Sequence, residues 1–227
     1  MERLKVRTVD KVLFDLGWSG YQIAAPRGFS FQEEEPLLMS YSGNGETAAD
    51  IINSSSEEVL ANIIFTYGEE RFARSIAHSI IATRSKERIL TTNKLVAAIL
   101  AGTPRWYQQR KIHPATKTFQ ALRIVVNDEL GALRDGLAAA ISVLTPGGRL
   151  AVISFHSIED RIVKSTLRDA VYAGLGSLSP KKPIMPTRAE ILANRRARSA
   201  KLRVFERVAT APYTGITDSI TATISHV

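Results

Sequence analysis

Apolar and polar positions divide the chain into strand-like and helix-like segments. Residues 9–16 form a short apolar run that ends near Asp15 and a turn at Gly17, which predicts a buried parallel strand with an acid at its carboxyl end. Residues 26–45 contain two prolines and three glycines and show no regular period, which predicts a loop. The chain therefore opens with a strand and a long connection.

Residues 47–100 have the spacing of several consecutive helices. Thr47 and the serines at 54–56 are residue types that begin helices, and Thr92 begins a further short helix. Phe72, Ile76 and Ile80 recur every four residues, which is typical of one apolar helix face. Three or four helices without an intervening strand predict a compact helical insert.

A second α/β segment follows. From Phe119 to Leu144 the apolar positions are three or four residues apart throughout, which predicts one long helix. A turn at Pro146-Gly-Gly148 should end that helix, and residues 150–155 form a β-rich apolar run. Helix, turn and buried strand make up the second half of a right-handed crossover between parallel strands.

The remaining residues are predicted to close the sheet. Ser157 is expected to cap another helix, with Asp160 as its capping-box partner. Residues 174–186 are expected to be a loop and 189–200 a helix, while 201–208 alternates like a closing strand. The last residues, 212–227, are polar and nearly uncharged, which predicts a loose tail or an edge hairpin.

These elements predict an α/β protein with a helical insert. The predicted domains are a first α/β part at 1–43, a helical insert at 44–112 and the rest of the α/β domain at 113–227, which ends in a basic segment.

Composition narrows the class of protein. The 227 residues are 44% hydrophobic and 23% charged, and no apolar run approaches the about 18 residues of a membrane span. Cysteine is absent, and the four histidines lack metal-ligand spacing, so thiol and zinc chemistry are excluded. We therefore expect a cytoplasmic protein with neither a metal nor a membrane contact.

Positive charge is concentrated near the end of the chain. The formal net charge is +8, and residues 181–207 hold nine lysines and arginines against two glutamates. Such a segment favours a polyanionic partner, nucleic acid above all. A solvated tail or a set of helix-end charges would explain the same count.

Polar residues mark the ends of the two predicted strands. Asp15 follows the first, and Ser154, His156 and Glu159 follow the second; ligands of open parallel sheets bind outside such carboxyl ends. Structural roles compete, because Asp15 could be a turn residue, His156 a rim histidine, and the acids partners of a helix dipole. No Gly-x-Gly-x-x-Gly, phosphate-loop or Gly-x-Ser-x-Gly motif occurs.

Several ordered motifs resemble one family, that of ribosomal RNA small-subunit methyltransferase H (RsmH, also called MraW). The matching segments run in the family's order and cover the chain up to Arg207. They are Val12-Leu-Phe-Asp-Leu-Gly17, Arg27-Gly-Phe-Ser-Phe-Gln32, Tyr67-Gly-Glu-Glu-Arg-Phe-Ala73, residues 113–130, residues 147–157, Glu159-Asp-Arg161, Asn194-Arg-Arg-Ala-Arg-Ser199 and Leu202-Arg203.

The resemblance implies a class I (Rossmann-like) fold that binds S-adenosylmethionine, with an inserted all-helical substrate domain. It implies N4-methylation of a cytidine in 16S ribosomal RNA, with the small ribosomal subunit as partner and a homodimer as a possible assembly. It places cofactor contacts at Asp15 and Gln22, but it identifies no catalytic residue. We expect an active-site rim at Gly17, His113, Arg123, Asn127, Ser154, His156, Ser157, Glu159 and Asp160, and RNA contacts at Arg27, Phe29, Phe31, Arg195, Arg196, Arg198 and Lys201.

The resemblance also shows departures from the family pattern. Ser19-Gly20-Tyr21 stands where the family has paired serines and a proline, and Pro36-Leu-Leu-Met39 lacks the usual acid. The glycine-rich cofactor loop and the first strands of the family have no counterpart, so we expect an N-terminally truncated fold that binds cofactor poorly or not at all.

Two other functions compete with methyl transfer. The first is a non-catalytic RNA-binding remnant of such an enzyme, which the absent cofactor loop would explain. The second is a nicotinamide-dependent enzyme, which is disfavoured because that class carries a glycine fingerprint beside a strand.

Overall fold

A computed structural model describes residues 7–17 and 26–208 of the chain. The chain divides into two compact units. Residues 1–16 and 134–227 form the α/β unit, and residues 17–133 form the helical unit.

The α/β unit contains a four-stranded sheet within its described residues. Its strands are β1 (Val9–Asp15), β2 (Leu144–Ser154), β3 (Gly176–Leu178) and β4 (Lys201–Arg207), in the spatial order β1-β2-β4-β3. Strands β1 and β2 are parallel, whereas β4 is antiparallel to both β2 and β3. The predicted α/β class and the closing strand are confirmed.

Buried and half-buried side chains alternate along β2, which lies between two other strands of this sheet. Leu150 and Val152 are fully buried, whereas Ala151 and Ile153, between and after them, are half-buried. Helix α8 (Ser157–Tyr172) packs on β2, β3 and β4, as its apolar side requires. On β1, the ring of Phe14 lies so close to Gly136 that a Cβ there would sit 3.4 Å from it.

The prediction that β1 is buried was wrong. The strand is parallel to β2 as expected, but it lies at the edge of the described sheet, and Leu13 is 65% exposed. An edge strand pairs on one side only, so a continuous apolar run does not by itself establish burial on both faces.

The long helix predicted between Phe119 and Leu144 is two helices. Helix α6 (Ala115–Val126) ends at Asn127, and α7 (Glu129–Val143) begins after Asp128. Asp128 has φ +44°, a left-handed conformation that aspartate and asparagine tolerate better than other side chains. The apolar spacing continues across this break, which is why the pattern concealed it.

The Pro146-Gly-Gly148 segment lies inside a strand rather than ahead of one. Strand β2 begins at Leu144, and its pairing with β1 shifts register between Val9 and Lys11. Gly147 has φ +77°, so this strand irregularity requires a residue without a Cβ. The proline and glycines therefore form a bulge in the parallel pair.

Two further predictions near the end of the chain need correction. The loop predicted at 174–186 contains β3, whose Gly176 would carry a Cβ 2.3 Å from the carbonyl oxygen of Glu206. The helix predicted at 189–200 is divided into α9 (Arg188–Ala193) and a 3-10 helix (Arg195–Ser199), because the Asn194 side chain accepts from the Arg196 amide and starts a new turn. The predicted tail at 212–227 lies outside the described residues.

The helical unit contains the helices that the sequence predicted. Thr47 caps α1 (Ala48–Ser54) and Ser56 caps α2 (Glu57–Gly68), both through their hydroxyl oxygens. The remaining helices described in this unit are α3 (Ala73–Arg84), α4 (Thr92–Ala101), the short α5 (Arg105–Gln108) and α6. No helix in the described part of the chain is long and apolar enough to cross a membrane.

The core of the helical unit extends beyond the predicted insert limits of 44 and 112. Phe29, Leu37 and Met39 come from the predicted loop at 26–45 and are buried with the helices, and so are Phe119 and Leu122 of α6. The compact unit consequently runs from Gly17 to Leu133, because apolar side chains on both flanks complete its core.

A buried carboxylate and phenol organise one end of the helical unit. Glu70 has no exposed surface; its Oε2 accepts from the Tyr107 hydroxyl at 2.6 Å and its Oε1 from the Phe72 amide at 2.9 Å. Burial, followed by the hydrogen bond and charge of Glu70, raises the pKa of Tyr107 to about 12.

This pKa shift predicts a loss of stability in alkali. In an unfolded chain a phenol has a pKa of about 10, whereas Tyr107 in the folded chain has a pKa of about 12. The neutral phenol therefore contributes its full stabilisation of the fold below pH ~10, and this stabilisation is lost as the pH rises towards ~12. We expect Tyr107→Phe to weaken the dependence of urea stability on pH between 10 and 12. The same dependence in Tyr107→Phe and wild-type chains would contradict this assignment, and Tyr172→Phe, which removes an exposed phenol, is the control.

Candidate functional site

The carboxyl ends of β1 and β2 lie side by side. Asp15 pairs with Ile153 in the parallel register, and the Leu16 amide continues the ladder with a 3.0 Å bond to the Ile153 carbonyl. Asp15 is exposed, whereas Ser154 at the end of β2 is buried. One edge of the α/β unit therefore carries both predicted polar strand ends, which is where open parallel sheets bind ligands.

The helix that follows β2 is capped by a different residue from the predicted one. His156, not Ser157, is the N-cap of α8, and Glu159, not Asp160, completes the capping box. The Glu159 amide donates to His156 Nδ1 at 3.4 Å, and Glu159 Oε2 accepts from the Phe155 amide at 2.9 Å. Serine is the commoner cap, so residue preference placed the helix start one residue late.

The His156 ring is held by the same carboxylate. Its Nε2 lies 3.1 Å from Glu159 Oε1, within ion-pair distance, but out of line for a hydrogen bond. This nitrogen is buried and has no hydrogen-bond partner among the described residues. A buried ring nitrogen without a hydrogen bond is unusual, so His156 retains the capacity to bond a polar group.

Asp160 belongs to a buried ion pair below this edge. Its Oδ1 lies 2.7 Å from Arg203 Nε, and its Oδ2 lies 3.2 Å from Arg203 Nη2 and 3.0 Å from Lys201 Nζ. Burial opposes ionisation of Asp160, but the hydrogen bonds and charges of Arg203 and Lys201 outweigh it and lower its pKa. Asp160 and Lys201 therefore connect α8 to β4.

Two of the predicted residues of the helical unit, Arg123 and Asn127, take part in a hydrogen-bonded network within that unit. Arg123 pairs with Glu129 through two bonds of 2.7 and 2.9 Å, and the Tyr41 hydroxyl donates to Glu129 Oε1 at 2.7 Å. The Asn127 side chain accepts from the Tyr41 amide at 2.8 Å and donates to the Met39 carbonyl at 2.7 Å. Arg123 and Asn127 thus fix the 37–44 connection to the start of α7.

Arg27 and the aromatic residues near it are largely engaged within the helical unit. Arg27 donates to the carbonyls of Ser40 and Tyr41. Phe29 is buried and stacks on Tyr41, which leaves it no face for a nucleotide base. Phe31, which is half-buried, stacks on His113 with ring centroids 4.8 Å apart.

The basic segment remains at the surface. Arg195, Arg196 and Arg198 are exposed on the 3-10 helix, which is anchored by the buried Ala197. Lys201 differs from these three because it is half-buried and paired with Asp160.

The structure therefore divides the predicted site residues between two units. The α/β unit brings together Asp15, Ser154, His156, Ser157, Glu159 and Asp160 at one edge of the sheet. Gly17 follows β1 with φ +108° and begins the helical unit, and Gln22 lies outside the described residues. The helical unit holds the other predicted rim and RNA residues before position 134, namely His113, Arg123, Asn127, Arg27, Phe29 and Phe31.

Sequence reasoning missed three residues that organise these networks. Arg203 is buried opposite Asp160, while Tyr41 and Glu129 complete the network around Arg123. Arg203 is part of the family motif Leu202-Arg203, and the alternation of residues along β4 could have predicted that its side chain is buried. Nothing local in the sequence indicated the contacts of Tyr41.

Comparison with known families decides the relationship. The model of the MraW methylase family matches residues 1–208. The chain belongs to the MraW methylase family. This membership agrees with the mixed, partly parallel sheet described above, which is consistent with a Rossmann-like methyltransferase fold.

Individual members of the family are similar over most of the chain. A protein named ribosomal RNA small subunit methyltransferase H from Deinococcus radiodurans is 53% identical over 207 residues, covering 90% of this chain and 64% of the relative. The protein of the same name from Deinococcus deserti is 52% identical, and the match covers 92% of this chain and 68% of the relative. The one from Methylobacterium nodulans is 49% identical, and the match covers 89% of this chain and 64% of the relative. The chain therefore spans about two thirds of the length of these family members.

Proposed function

We propose that this chain is part of an S-adenosylmethionine-dependent methyltransferase that modifies N4 of a cytidine in 16S ribosomal RNA, in the cytoplasm. The observation that carries the proposal is the identity of about half of all aligned positions with proteins named for methylating small-subunit ribosomal RNA. The adjoining polar strand ends of β1 and β2 provide a place for the cofactor.

The residues at these strand ends fit part of such a cofactor. No described residue donates a hydrogen bond to the exposed Asp15 carboxylate, so it can accept from ribose hydroxyls or from an ammonium group. His156 Nε2 is a second polar atom that lacks a hydrogen bond. We assign Asp15 to cofactor binding, and Gln22 with it on the resemblance of the sequence.

The chemistry limits what the protein must supply. When bound at these strand ends, S-adenosylmethionine would supply an electrophilic methyl group for transfer to the cytidine amine, and Asp15 with Gln22 would hold it. The amine is conjugated with the ring, so orientation of the base must contribute much of the rate. Carboxylate or carbonyl acceptors near Ser154 and His156 would stabilise positive charge that develops on the amine.

Arg195, Arg196 and Arg198 are proposed phosphate contacts. Their exposure on one short 3-10 helix leaves three guanidinium groups available to an RNA backbone. Lys201 is a weaker candidate than these arginines because its ammonium group already bonds to Asp160. The motif at 194–199 would therefore add affinity without reading the RNA sequence.

A non-catalytic RNA-binding role is the second candidate function. The exposed arginines favour it, since they require neither the strand ends nor a cofactor to contact RNA. The two functions differ in whether methyl groups reach the RNA.

A methyl-transfer assay tests the proposed function. We would incubate the chain with labelled S-adenosylmethionine and undermethylated small subunits, and identify the product by mass spectrometry of digested nucleosides. N4-methylcytidine supports the proposal, and Asp15→Asn should reduce its yield while Asp135→Asn, which changes an exposed acid on α7, should not. RNA binding without any methylated nucleoside would favour the second function, and a methyl group on another base would contradict the proposed product.

A further inference from the structure

An exposed tryptophan on the helical unit is surrounded by cations and aromatic rings. Trp106 is 53% exposed, and its ring meets those of Phe72 and Tyr107 edge to face, each with centroids 5.8 Å apart. The Arg71 guanidinium carbon lies 5.2 Å from the Trp106 centroid, and that of Arg110 lies 5.4 Å from the Tyr107 centroid. We call these five residues the Trp106 platform.

Buried contacts hold the platform in place. Tyr107 is fixed by its hydroxyl bond to the buried Glu70, whose other oxygen accepts from the Phe72 amide. On the same short helix α5, Gln108 donates to the carbonyls of Leu100 and Thr103. Because the ring of Trp106 is supported by fixed neighbours, a ligand that stacks on it would lose little of its binding energy to ordering the protein.

The segment that carries Trp106 is positively charged. Residues 103–113 contain Arg105, Arg110 and Lys111 and no carboxylate, and all three cations are exposed. No ion pair among the described residues involves any of them. A half-exposed indole ring next to unpaired cations matches the chemistry of a polyanion that also presents flat rings.

We propose that the Trp106 platform binds unpaired nucleotides of single-stranded RNA. Trp106 stacks on one base, and Arg71, Arg110 and Lys111 contact the phosphates beside it. The choice of RNA over other single-stranded polyanions rests on the proposed function. This surface uses none of the residues at the β1 and β2 strand ends and none of the arginines at 195–198, and it gives a role to the Glu70-Arg71-Phe72 part of the motif at 67–73.

Stacking explains why an unpaired strand fits better than a duplex. Every base offers a flat face to an aromatic ring once it is unpaired, whereas a double helix hides those faces in its own stack. Phosphate contacts alone would not distinguish a single strand from a duplex. The platform should therefore distinguish single strands from duplexes and be tolerant of base sequence.

Binding measurements on the full chain test this proposal. We would measure fluorescence anisotropy with a labelled uridine oligomer and with a blunt-ended RNA duplex of the same length, which should bind more weakly. Trp106→Ala should weaken oligomer binding about 5- to 150-fold, the range expected when one base no longer stacks, and Trp106→Phe should weaken it less. Tyr172→Ala, which removes an 80% exposed aromatic ring from α8, is the matched control and should leave the affinity unchanged.

Two further readouts assign the binding to this surface. The chain has two tryptophans, so Trp18→Phe leaves Trp106 as the only indole, and its emission should be quenched as the oligomer binds. The double variant Arg110→Gln with Lys111→Gln should lower the slope of log affinity against log salt by about one for each phosphate that the variant no longer neutralises. Circular dichroism of each variant verifies that the fold is intact.

Several outcomes would overturn the proposal. These are no binding of the oligomer by the wild-type chain, equal affinity of wild type and Trp106→Ala, or an equal loss of affinity in Tyr172→Ala. If Trp106→Ala abolished self-association in sedimentation velocity and left RNA affinity unchanged, the surface would contact a second protein chain instead. The proposed function fails separately: binding through Trp106 without methyl transfer contradicts that function alone, and methyl transfer with unaltered RNA affinity in Trp106→Ala contradicts the platform alone.

Discussion

Replacing Asp160 with asparagine is expected to lower the free energy of unfolding by about 3–5 kcal/mol, the usual cost of removing one partner from a buried ion pair. Arg203 is only 8% exposed and would keep its charge without the carboxylate that now makes two bonds to it. Urea unfolding at neutral pH measures the change. The expected loss is large because the remaining guanidinium cannot reach water.

The Asp160 pair also makes a pH-dependent prediction. The pKa of Asp160 is lower in the folded chain than in the unfolded chain, where it is about 4. The ionised carboxylate therefore contributes its full stabilisation above pH ~4, and this stabilisation is lost as the pH falls towards the folded pKa. The stability difference between wild type and Asp160→Asn should therefore narrow below pH about 4. A difference that stayed constant into acid would show that the carboxylate charge is not what stabilises Arg203.

Asp169→Asn provides the matched control for Asp160→Asn. Asp169 is also on α8, but it is 67% exposed and lies 3.6 Å from an exposed Arg168. An exposed pair of this kind contributes about 0–1 kcal/mol, so the control should change stability little. A loss below about 1 kcal/mol in Asp160→Asn would contradict the buried ion pair.

Leu37→Ala is expected to destabilise the helical unit by about 2–5 kcal/mol, as deletion of a buried leucine side chain does. Leu37 lies in the 26–45 connection, yet it has no exposed surface and belongs to the same core as α1 to α4 and α6. Its amide also bonds to the Leu90 carbonyl at 2.9 Å. The effect should be that of a core residue even though no helix or strand contains Leu37.

The Leu37 result tests where the helical unit begins. Leu90→Ala is the control, since Leu90 is in the same unit and is 49% exposed. A loss of stability in Leu37→Ala no larger than in Leu90→Ala would place the 26–45 connection outside the core. The unit would then start near residue 44, as the hydrophobic pattern alone predicted.

Sequence patterns predicted the helices and strands that depend on residues close together in the chain. Elements of the structure correspond to the apolar run at 150–155, the alternation at 201–208, the caps at Thr47 and Ser56, and the four-residue stripe through Ile76. Each of these depends on residues within a few positions of one another. The parallel pairing of β1 with β2 was expected from the crossover pattern, in which a helix leads into the second strand.

Features that depend on distant residues were not predictable in the same way. Asp160 and Arg203 are 43 positions apart and Tyr41 and Glu129 are 88 apart, so neither pair leaves a local signal. The break at Asp128 was hidden because apolar spacing continues through it, although asparagine and aspartate together indicated tolerance of a left-handed residue. The cap at His156 was missed because histidine is an infrequent N-cap.

Chemical-shift mapping can show whether the carboxyl ends of β1 and β2 bind S-adenosylmethionine, as we propose. This measurement detects weak binding, which suits a chain whose sequence predicts poor cofactor binding or none. The cofactor is titrated into isotope-labelled chain, and the amide resonances that move are assigned. We expect saturable shifts at Asp15, Ser154 and His156 that Asp15→Asn diminishes and Asp135→Asn does not. Shifts confined to residues 47–101, or no shifts at the highest soluble cofactor concentration, would contradict it.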